Sequence, residues 1–252
     1  MILAVDIGNT RTTYGVFGEN ELAHSFSQPT ASFTAHSMNL AEELLAIGVP
    51  SDVLIASVVP AASPRAHEEL QRLFPSARVR TLKNTDVPII NRYRHPEQVG
   101  IDRLLGSLAG HTLYAKAHHK PLIAIDLGTA TTFDCVTVAG EYLGGVIALG
   151  IESSAKHLSS IAAQLPPVDL TFPEHALGRS TMESMQSGIL YGAVDAIEGM
   201  IRRLTTDGFG GGTPVVVATG GLAHLLRGHT TIIDHIDSAL VLRGIALTYS
   251  SL

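Results

Sequence analysis

The sequence predicts an α/β protein built from two related halves, each with a mixed β-sheet flanked by helices. The first observation is an internal repeat, because residues 3–8 (LAVDIG) match residues 123–128 (IAIDLG) in residue type at every position. The second is the alternation of predicted strands and helices along both halves. The third is that 45% of the 252 residues are hydrophobic, which is enough to fill two modest cores.

Each copy of the repeat is an apolar strand that ends in an Asp and a Gly. A threonine-rich turn follows in both cases, Asn9–Thr13 in the first copy and Thr129–Thr132 in the second, and then another apolar stretch. Two such units separated by half the chain predict duplicated domains, one over residues 1–118 and the other over residues 119–252.

Hydrophobic periodicity predicts the remaining elements. It predicts further strands at 21–27, 53–59, 79–82, 142–147 and 215–219. It predicts helices at 34–47, 65–74, 102–115, 152–164, 181–205 and 238–248. Ser180 is a suitable N-cap for the longest helix, and Glu183 is favourable in its first turn. The glycine run at 209–213 lacks the Lys-Ser/Thr of a P-loop, so it is predicted to be a surface turn.

Composition excludes several classes of function. The formal charge of −6 and the lack of a basic run argue against a nucleic-acid partner. Apolar runs are far shorter than the roughly 20 residues of a membrane helix, and the N-terminus lacks the pattern of a secretory leader. Cys135, the single cysteine, cannot form an internal disulfide and is expected to be a buried strand residue. We therefore expect a cytoplasmic protein.

The segment Asp6-Ile7-Gly8-Asn9-Thr10 combines a carboxylate at a strand end with a tight turn that exposes backbone N–H groups. Such a turn suits phosphate oxygens, and the carboxylate can hold Mg²⁺ directly or through water. An ordinary Asp-Gly hairpin remains an alternative, although its strongest form places Gly directly after Asp. The second copy at Asp126-Leu127-Gly128 favours phosphate binding, because two such turns can hold a nucleotide's phosphates from both sides. The glycines of Thr219-Gly220-Gly221 would let the backbone approach a nucleoside closely.

Two strand-ending Asp-x-Gly turns followed by a late Gly-Gly pair resemble the superfamily of acetate and sugar kinases, Hsp70 chaperones and actin. That resemblance covers both halves of the chain. It implies two RNase H-like lobes of the actin and sugar-kinase type, each with a mixed five-stranded sheet flanked by helices. It also implies that ATP binds in the cleft between the lobes, and it leaves the acceptor of the phosphoryl group open.

The segment from Tyr93 to Arg103 (YRHPEQVGIDR) places an Asp and an Arg at a predicted helix start. Pro96 and Gly100 shape the turn that delivers them. Asp102 can accept a hydroxyl proton, and Arg103 can grip a carboxylate with two hydrogen bonds. The residues alone leave a second interpretation open, in which Asp102 only complements the helix dipole and Arg103 is solvated.

The pattern Tyr-x-x-Pro-x-x-x-Gly-x-Asp-Arg is similar to the signature of type III pantothenate kinases. Also similar, and in the family's order, are residues 6–10, residues 126–132, and Gly144-Gly145-Val146-Ile147 with Gly150. The similarity therefore spans essentially the whole chain. Two positions depart from the family pattern: Leu149 stands where members often have Pro, and Ser180 stands where members commonly have Asn.

This resemblance implies ATP-dependent phosphorylation of pantothenate to 4′-phosphopantothenate, the first step of coenzyme A biosynthesis. It implies that Asp102 is the general base. ATP would be bound by Asp6, Ile7, Gly8, Asn9, Thr10, Arg11, Thr12, Thr13 and Thr129. Pantothenate would be contacted by Tyr93, Gly100, Ile101, Asp102, Arg103 and Thr181.

The resemblance also implies the ions and the assembly. Asp6 would lie near Mg²⁺, and Asp126 would coordinate a monovalent cation, K⁺ or NH₄⁺. Arg103 would meet the carboxylate of pantothenate. The family is typically homodimeric, and Thr181 would act in the pantothenate pocket of the partner subunit.

Two other functions remain open from the sequence. One is a related small-molecule kinase with a sugar or acetate as acceptor, although sugar kinases usually have longer chains with inserted subdomains. The other is a non-catalytic ATP-binding regulator. Asp102 and Arg103 argue against the regulator, because a protein without catalysis has no need of the base.

Overall fold

The computed structural model describes residues 1–18, 21–33, 44 and 48–252, which form two compact units. The first unit contains Met1–Leu113, Gly140–Tyr142 and Ala239–Leu252, and the second contains Tyr114–Ala139 and Leu143–Ser238. The chain therefore passes from one unit to the other at several places, and its last residues belong to the first unit. The predicted domains, residues 1–118 and residues 119–252, stay a prediction.

The first unit is built on a mixed five-stranded sheet. Its strands are β1 (Ile2–Ile7), β2 (Arg11–Gly18), β3 (Glu21–Pro29), β4 (Asp52–Ser57) and β5 (Arg78–Thr81), in the order β3-β2-β1-β4-β5. β1 is antiparallel to β2, and β2 is antiparallel to β3. β4 is parallel to both β1 and β5.

The second sheet is also mixed. Its strands are β6 (Ile90–Asn91), β7 (Leu122–Leu127), β8 (Ala130–Val136), β9 (Glu141–Leu149), β10 (Val215–Thr219) and β11 (His235–Ile236), in the order β11-β10-β7-β8-β9-β6. β7 is antiparallel to β8 and parallel to β10, which is parallel to β11. The short strand β6 pairs with the first two residues of β9, and all four of these residues belong to the first unit.

The order β3-β2-β1-β4-β5 is repeated as β9-β8-β7-β10-β11. In each unit a hairpin is followed by strands that lie parallel to the hairpin's first strand. The two Asp-x-Gly segments occupy the same place in this order, at the end of the first hairpin strand. The internal repeat of the sequence therefore corresponds to a repeated topology, and the predicted α/β fold with two mixed sheets flanked by helices is confirmed. The prediction of five strands in each sheet is wrong for the second sheet, which has six because the short strand β6 pairs with the edge strand β9.

Helices flank both sheets. They are α1 (Ser63–Leu73), α2 (Ile101–Gly110), α3 (Ile151–Ile161), α4 (Thr181–Phe209) and α5 (Leu240–Tyr249). The predicted helix at 102–115 is α-helical only as far as Gly110, and His111–Ala115 form a π-helical turn. The helix predicted at 34–47 falls on residues outside the described ranges, except for Leu44.

Strand β1 separates two cores in the first unit because its side chains alternate between the faces of the sheet. Leu3, Val5 and Ile7 pack on one face with residues of α1, whereas Ala4 faces the other core with residues of α2 and α5. In the second unit one core joins β7, β8 and β10 to the buried side of α4. Cys135 is buried in β8, as predicted.

Within residues 1–18, 21–33, 44 and 48–252, no helix combines the length and hydrophobicity needed to cross a bilayer.

Candidate active site

The first predicted site residues lie on the hairpin between β1 and β2. Asp6 is half-buried near the end of β1, opposite Thr13 on β2. The N–H of Gly8 donates to the carbonyl of Arg11 at 3.0 Å, which closes the turn and leaves Asn9 and Thr10 exposed at its tip. The turn therefore presents backbone and polar side chains to solvent directly after the Asp6 carboxylate.

Thr12 and Thr30 fasten this turn from behind. The hydroxyl of Thr30 donates to the carbonyl of Gly8 at 2.7 Å and lies 3.1 Å from the hydroxyl of Thr12. Thr12 is fully buried, and Arg11 donates from Nε to the hydroxyl of Ser27 at 3.1 Å. Thr12 therefore supports the turn, and its side chain is directed into the protein.

The turn and the predicted acceptor residues share one edge of the first sheet. The N–H of Val58, just after β4, donates to the carbonyl of Ile7 at 3.1 Å. The side chain of Val58 packs against Gly100, at 3.6 Å from where a β-carbon would lie. Because β1 and β4 are parallel, their carboxyl ends meet at the same edge. Val58 thus links the Asp6 turn to the segment that carries Asp102.

Asp102 lies in the first turn of α2, and Gly100 is the N-cap of that helix. A β-carbon at position 100 would overlap Oδ1 of Asp102, so only glycine permits this position of the carboxylate. Oδ1 accepts a hydrogen bond from the N–H of Arg103 at 2.8 Å. Asn84 supports the approach to the helix by donating from Nδ2 to the carbonyl of Val99 at 2.7 Å.

Burial raises the pKa of the Asp102 carboxyl above its ordinary value, although the hydrogen bond and the charge of Arg103 oppose this shift. A carboxylate with a raised pKa is a stronger base than an ordinary one. Asp102 therefore combines a position in the first turn of α2 with a raised basicity.

Arg103 lies over the ring of Tyr142, which in turn contacts Tyr93. Cζ of Arg103 lies 6.0 Å from the centre of the Tyr142 ring. The rings of Tyr93 and Tyr142 have centres 6.4 Å apart. Ile101 and Tyr142 belong to one hydrophobic core, against which the half-buried Tyr93 packs. This core joins Tyr93 to the segment that carries the other predicted acceptor residues, Gly100, Ile101, Asp102 and Arg103.

In the second unit the hairpin between β7 and β8 repeats the arrangement of the first. Asp126 lies opposite Thr132, and the N–H of Gly128 donates to the carbonyl of Ala130 at 3.1 Å. Thr219, at the end of β10, is in register with Asp126. The Gly-Gly pair that follows Thr219 therefore lies beside the Asp126 turn.

Gly220 packs directly on the Asp126 carboxylate. A β-carbon at Gly220 would overlap Oδ1 of Asp126, and the φ angle of Gly220 is +90°, which favours glycine. The N–H of Leu222 donates to the carbonyl of Leu127 at 3.3 Å. The carboxylate is thus held between the hairpin turn and the turn that follows β10.

Thr129 is exposed, and its backbone is held by the start of α3. Its carbonyl accepts hydrogen bonds from the N–H of Gly150 at 3.2 Å and from the hydroxyl of Ser153 at 2.7 Å. Gly150 is the N-cap of α3. The chain reaches this cap with Leu149 in the place of the family's Pro.

Thr181 is the first residue of α4 and is exposed. Ser180 caps the helix by accepting a hydrogen bond from the N–H of Glu183 at 3.2 Å, so the serine in the place of the family's Asn performs the capping role. Thr181 lines a cavity of about 1110 Å³ between α3 and α4. Thr181 belongs to the second unit, whereas the predicted acceptor residues from Tyr93 to Arg103 belong to the first.

The donor atoms of both turns fit oxygen-preferring cations. Among the described residues there is no cluster of three or more His, Cys, Asp or Glu side chains suited to a metal. Mg²⁺ suits such a setting, because it is often bound by one or two carboxylates together with substrate phosphates and water. Asp6 could supply one carboxylate oxygen, and Asp126 could supply another to a second cation.

Sequence reasoning missed three supporting residues, Val58, Asn84 and Tyr142. Val58 and Asn84 act through a packing contact and a backbone hydrogen bond, for which the sequence holds no signal. Tyr142 was predicted only as the start of a strand. The sequence did offer one signal for Tyr142, because it lies between Gly140 and the Gly144-Gly145 motif.

A family model described as type III pantothenate kinase matches residues 2–203. A protein named Type III pantothenate kinase 1 from Symbiobacterium thermophilum is 39% identical, over 99% of this chain and 96% of its own length. A protein named Type III pantothenate kinase from Parafrankia sp. is 38% identical, over 99% of this chain and 97% of its own length.

Two solved structures share the fold at low sequence identity. One is a candidate Baf family transcriptional activator from Campylobacter jejuni, with a TM-score of 0.65, 19% identity, and coverage of 99% of this chain and 98% of its own. The other is a candidate 2-dehydro-3-deoxygalactonokinase from Sinorhizobium meliloti, with a TM-score of 0.59, 15% identity, and coverage of 100% and 97%. Family model and relatives agree over nearly the full length of the chain, and the chain belongs to the type III pantothenate kinase family.

Proposed function

We propose that this protein transfers the γ-phosphoryl group of ATP to the primary hydroxyl of pantothenate, giving 4′-phosphopantothenate and ADP. The reaction is the first step of coenzyme A biosynthesis. The observation that carries the proposal is the position of Asp102, a carboxylate of raised pKa at the sheet edge where the Asp6 turn opens. Family membership supports the choice of pantothenate as acceptor.

Asp102 acts as the general base. It accepts the proton of the pantothenate hydroxyl as that oxygen bonds to the γ-phosphorus, while the bond from phosphorus to the ADP oxygen breaks. Phosphoryl transfer depends mainly on positioning and on neutralising charge. The contact of Gly100 with Oδ1 and the hydrogen bond from Arg103 hold the carboxylate in one orientation.

The turn that follows Asp6 binds phosphate oxygens of ATP through the half-buried Gly8 and the exposed residues Asn9, Thr10 and Arg11. The corresponding turn of the second unit contributes Thr129. Mg²⁺, when bound, neutralises phosphate charge, and Asp6 would hold it directly or through water. Asp126 would coordinate K⁺ or NH₄⁺, and its carboxylate is oriented by Gly220.

Arg103 binds the carboxylate of pantothenate, and Tyr93 and Ile101 complete the acceptor pocket with Gly100. An arginine can form two parallel hydrogen bonds to a carboxylate, which fixes the orientation of the substrate. In this proposal the two ends of pantothenate meet neighbouring residues, the hydroxyl at Asp102 and the carboxylate at Arg103.

We further propose that the protein is a homodimer and that Thr181 serves the pantothenate pocket of the partner subunit. Large apolar side chains remain exposed near the cavity between α3 and α4, among them Met182, Leu149 and Ile161. Such apolar surface is typical of subunit interfaces. A cytoplasmic location suits an enzyme that uses ATP, and the lone cysteine needs no oxidising compartment.

The test is ADP release with ATP, Mg²⁺ and K⁺, with pantothenate, glucose or acetate as the acceptor. We expect release that depends on pantothenate, and a phosphorylated product at the primary hydroxyl in the ³¹P spectrum. Release with glucose or acetate instead would favour a related kinase. Release with none of the three would favour a regulator that binds ATP without catalysis.

A further inference from the structure

The chain enters the first unit for only three residues in its middle, Gly140–Tyr142. This excursion lies about forty residues after Arg103 in sequence and outside the motif that carries the acceptor residues. Of the three residues, Tyr142 is fully buried. Its ring lies within reach of the Arg103 guanidinium, because Cζ is 6.0 Å from the ring centre.

The excursion is held in place by the segment that carries Tyr93. Ile90 and Asn91 pair in parallel with Glu141 and Tyr142. The N–H of Arg92 donates to the carbonyl of Tyr142 at 2.8 Å, and Arg92 also donates from Nε to Oε1 of Glu141 at 3.1 Å. These contacts fix the backbone of Tyr142 relative to the acceptor cluster.

The surroundings of the ring also restrict its motion. Tyr93 lies against Tyr142 at an interplanar angle of 49°. The backbone of Tyr93 is held in turn by Asn91, whose Oδ1 accepts a hydrogen bond from the N–H of Tyr93 at 3.0 Å. A buried aromatic ring with fixed neighbours can orient a guanidinium through the negative face of its π-system.

We propose that Tyr142 is a positioning residue for the acceptor: the face of its ring holds the Arg103 guanidinium in the orientation that receives the carboxylate of the substrate. This inference rests on the proposed function, in which Arg103 meets the carboxylate of pantothenate. It adds a residue from outside the acceptor motif, supplied by the strand that continues into the Gly144-Gly145 segment. Tyr142 itself does not touch the reacting atoms.

A purely structural role would give a different pattern of effects. If Tyr142 only fills the core, its replacement lowers stability and affects all acceptors alike. If it orients Arg103, the loss falls on acceptors with a carboxylate. The alcohol analogue of pantothenate, which lacks that carboxylate, therefore separates the two roles.

The experiment places phenylalanine and its di-, tri- and pentafluorinated forms at position 142 of the full-length protein. Fluorination weakens the negative face of the ring while its shape is nearly kept, so folding is preserved across the series. We expect the KM for pantothenate to rise stepwise by about three- to tenfold in total, a strength suited to a cation–π contact in which the ring is buried and the arginine is half-buried. The KM for the alcohol analogue and the melting temperature should stay constant.

Tyr142→Leu gives a second readout, combined with Arg103→Gln in a double-mutant cycle. If Tyr142 acts through Arg103, the double variant is hardly worse in pantothenate KM than Arg103→Gln alone. The inference would be overturned if the KM for pantothenate did not change along the fluorinated series, or if the KM values for pantothenate and its alcohol analogue rose equally. The proposed function would stand in both cases, because pantothenate would still be phosphorylated. Absence of any pantothenate turnover in the wild type would instead overturn the proposed function.

Discussion

The carboxylate of Asp102 lies against the α-carbon of Gly100, at the place where any other residue would put its β-carbon. The glycine of the acceptor motif is therefore a packing requirement of the proposed base. Its backbone φ of −60° is open to all residues, so the conformation of the chain does not explain it. The contact between these two residues can be tested by substitution of the glycine.

Gly100→Ala should displace the Asp102 carboxylate and lower kcat by at least about tenfold, or about 1.4 kcal/mol of barrier, because the base loses its orientation. The KM for ATP should change little. Steady-state kinetics with both substrates checks this. Gly199→Ala in α4 is the matched control, because a β-carbon there meets no atom within 4 Å. Equal activity of Gly100→Ala and wild type would contradict the packing requirement.

Asp102→Asn should stabilise the protein at neutral pH. Burial raises the pKa of the Asp102 carboxyl in the folded state, so the native protein binds the proton more tightly than the unfolded chain does. The stability of the wild type therefore falls as the pH rises from the pKa of Asp102 in the unfolded chain through its higher pKa in the folded protein. The Asp102→Asn variant does not ionise at this position and avoids that loss. The gain in melting temperature should shrink as pH falls through that window. Exposed Asp207, replaced by Asn, is the control; a gain that is the same at every pH would speak against a buried, ionised Asp102.

Gly220→Ala should weaken activation by potassium, because the added methyl group overlaps Oδ1 of Asp126 and strains a φ of +90°. The ratio of rates in potassium and in sodium measures this effect, and Asp126→Asn should lower the same ratio. Gly221→Ala is the neighbouring control, since a β-carbon there meets nothing within 4 Å. If the wild type is equally active in both salts, Asp126 has no role in binding a monovalent cation.

Met182→Glu should dissociate the proposed homodimer, because it places a charge on exposed apolar surface next to Thr181. Sedimentation velocity should show monomers, and the KM for pantothenate should rise more than the KM for ATP. Val49→Glu is the matched control, as Val49 is also an exposed apolar residue but lies in the first unit. A Met182→Glu protein that remains dimeric, or a wild type that sediments as a monomer, would remove α4 from the interface.

Much of the fold follows from local sequence patterns. The hairpins at Asp6 and Asp126 were predicted because strand periodicity and turn residues are local signals, and the structure forms both. The start of α4 was predicted from Ser180 and Glu183, and these two residues form the cap. The end of α2 was not predicted correctly, because the π-helical turn at His111–Ala115 has no sequence signature that distinguishes it from a continuing helix.

The candidate site was predictable where the motif itself contains the residues. Asp102 and Arg103 were predicted because a carboxylate and a guanidinium stand side by side after a glycine. Val58 and Tyr142 were not found, because each reaches the cluster through pairing or packing between segments that are far apart in sequence. Such contacts depend on the assembled sheet, so a single sequence carries little trace of them.

The central claim is that Asp102 takes the proton of the pantothenate hydroxyl, and the most direct measurement compares Asp102→Asn with wild type in two assays. We expect kcat with pantothenate to fall by about a hundredfold or more, in the range typical of a general base, while the Kd for ATP in a direct binding assay stays within about twofold. A variant that keeps at least about a tenth of the wild-type turnover, a loss of only about 1.4 kcal/mol of transition-state stabilisation, would contradict the claim.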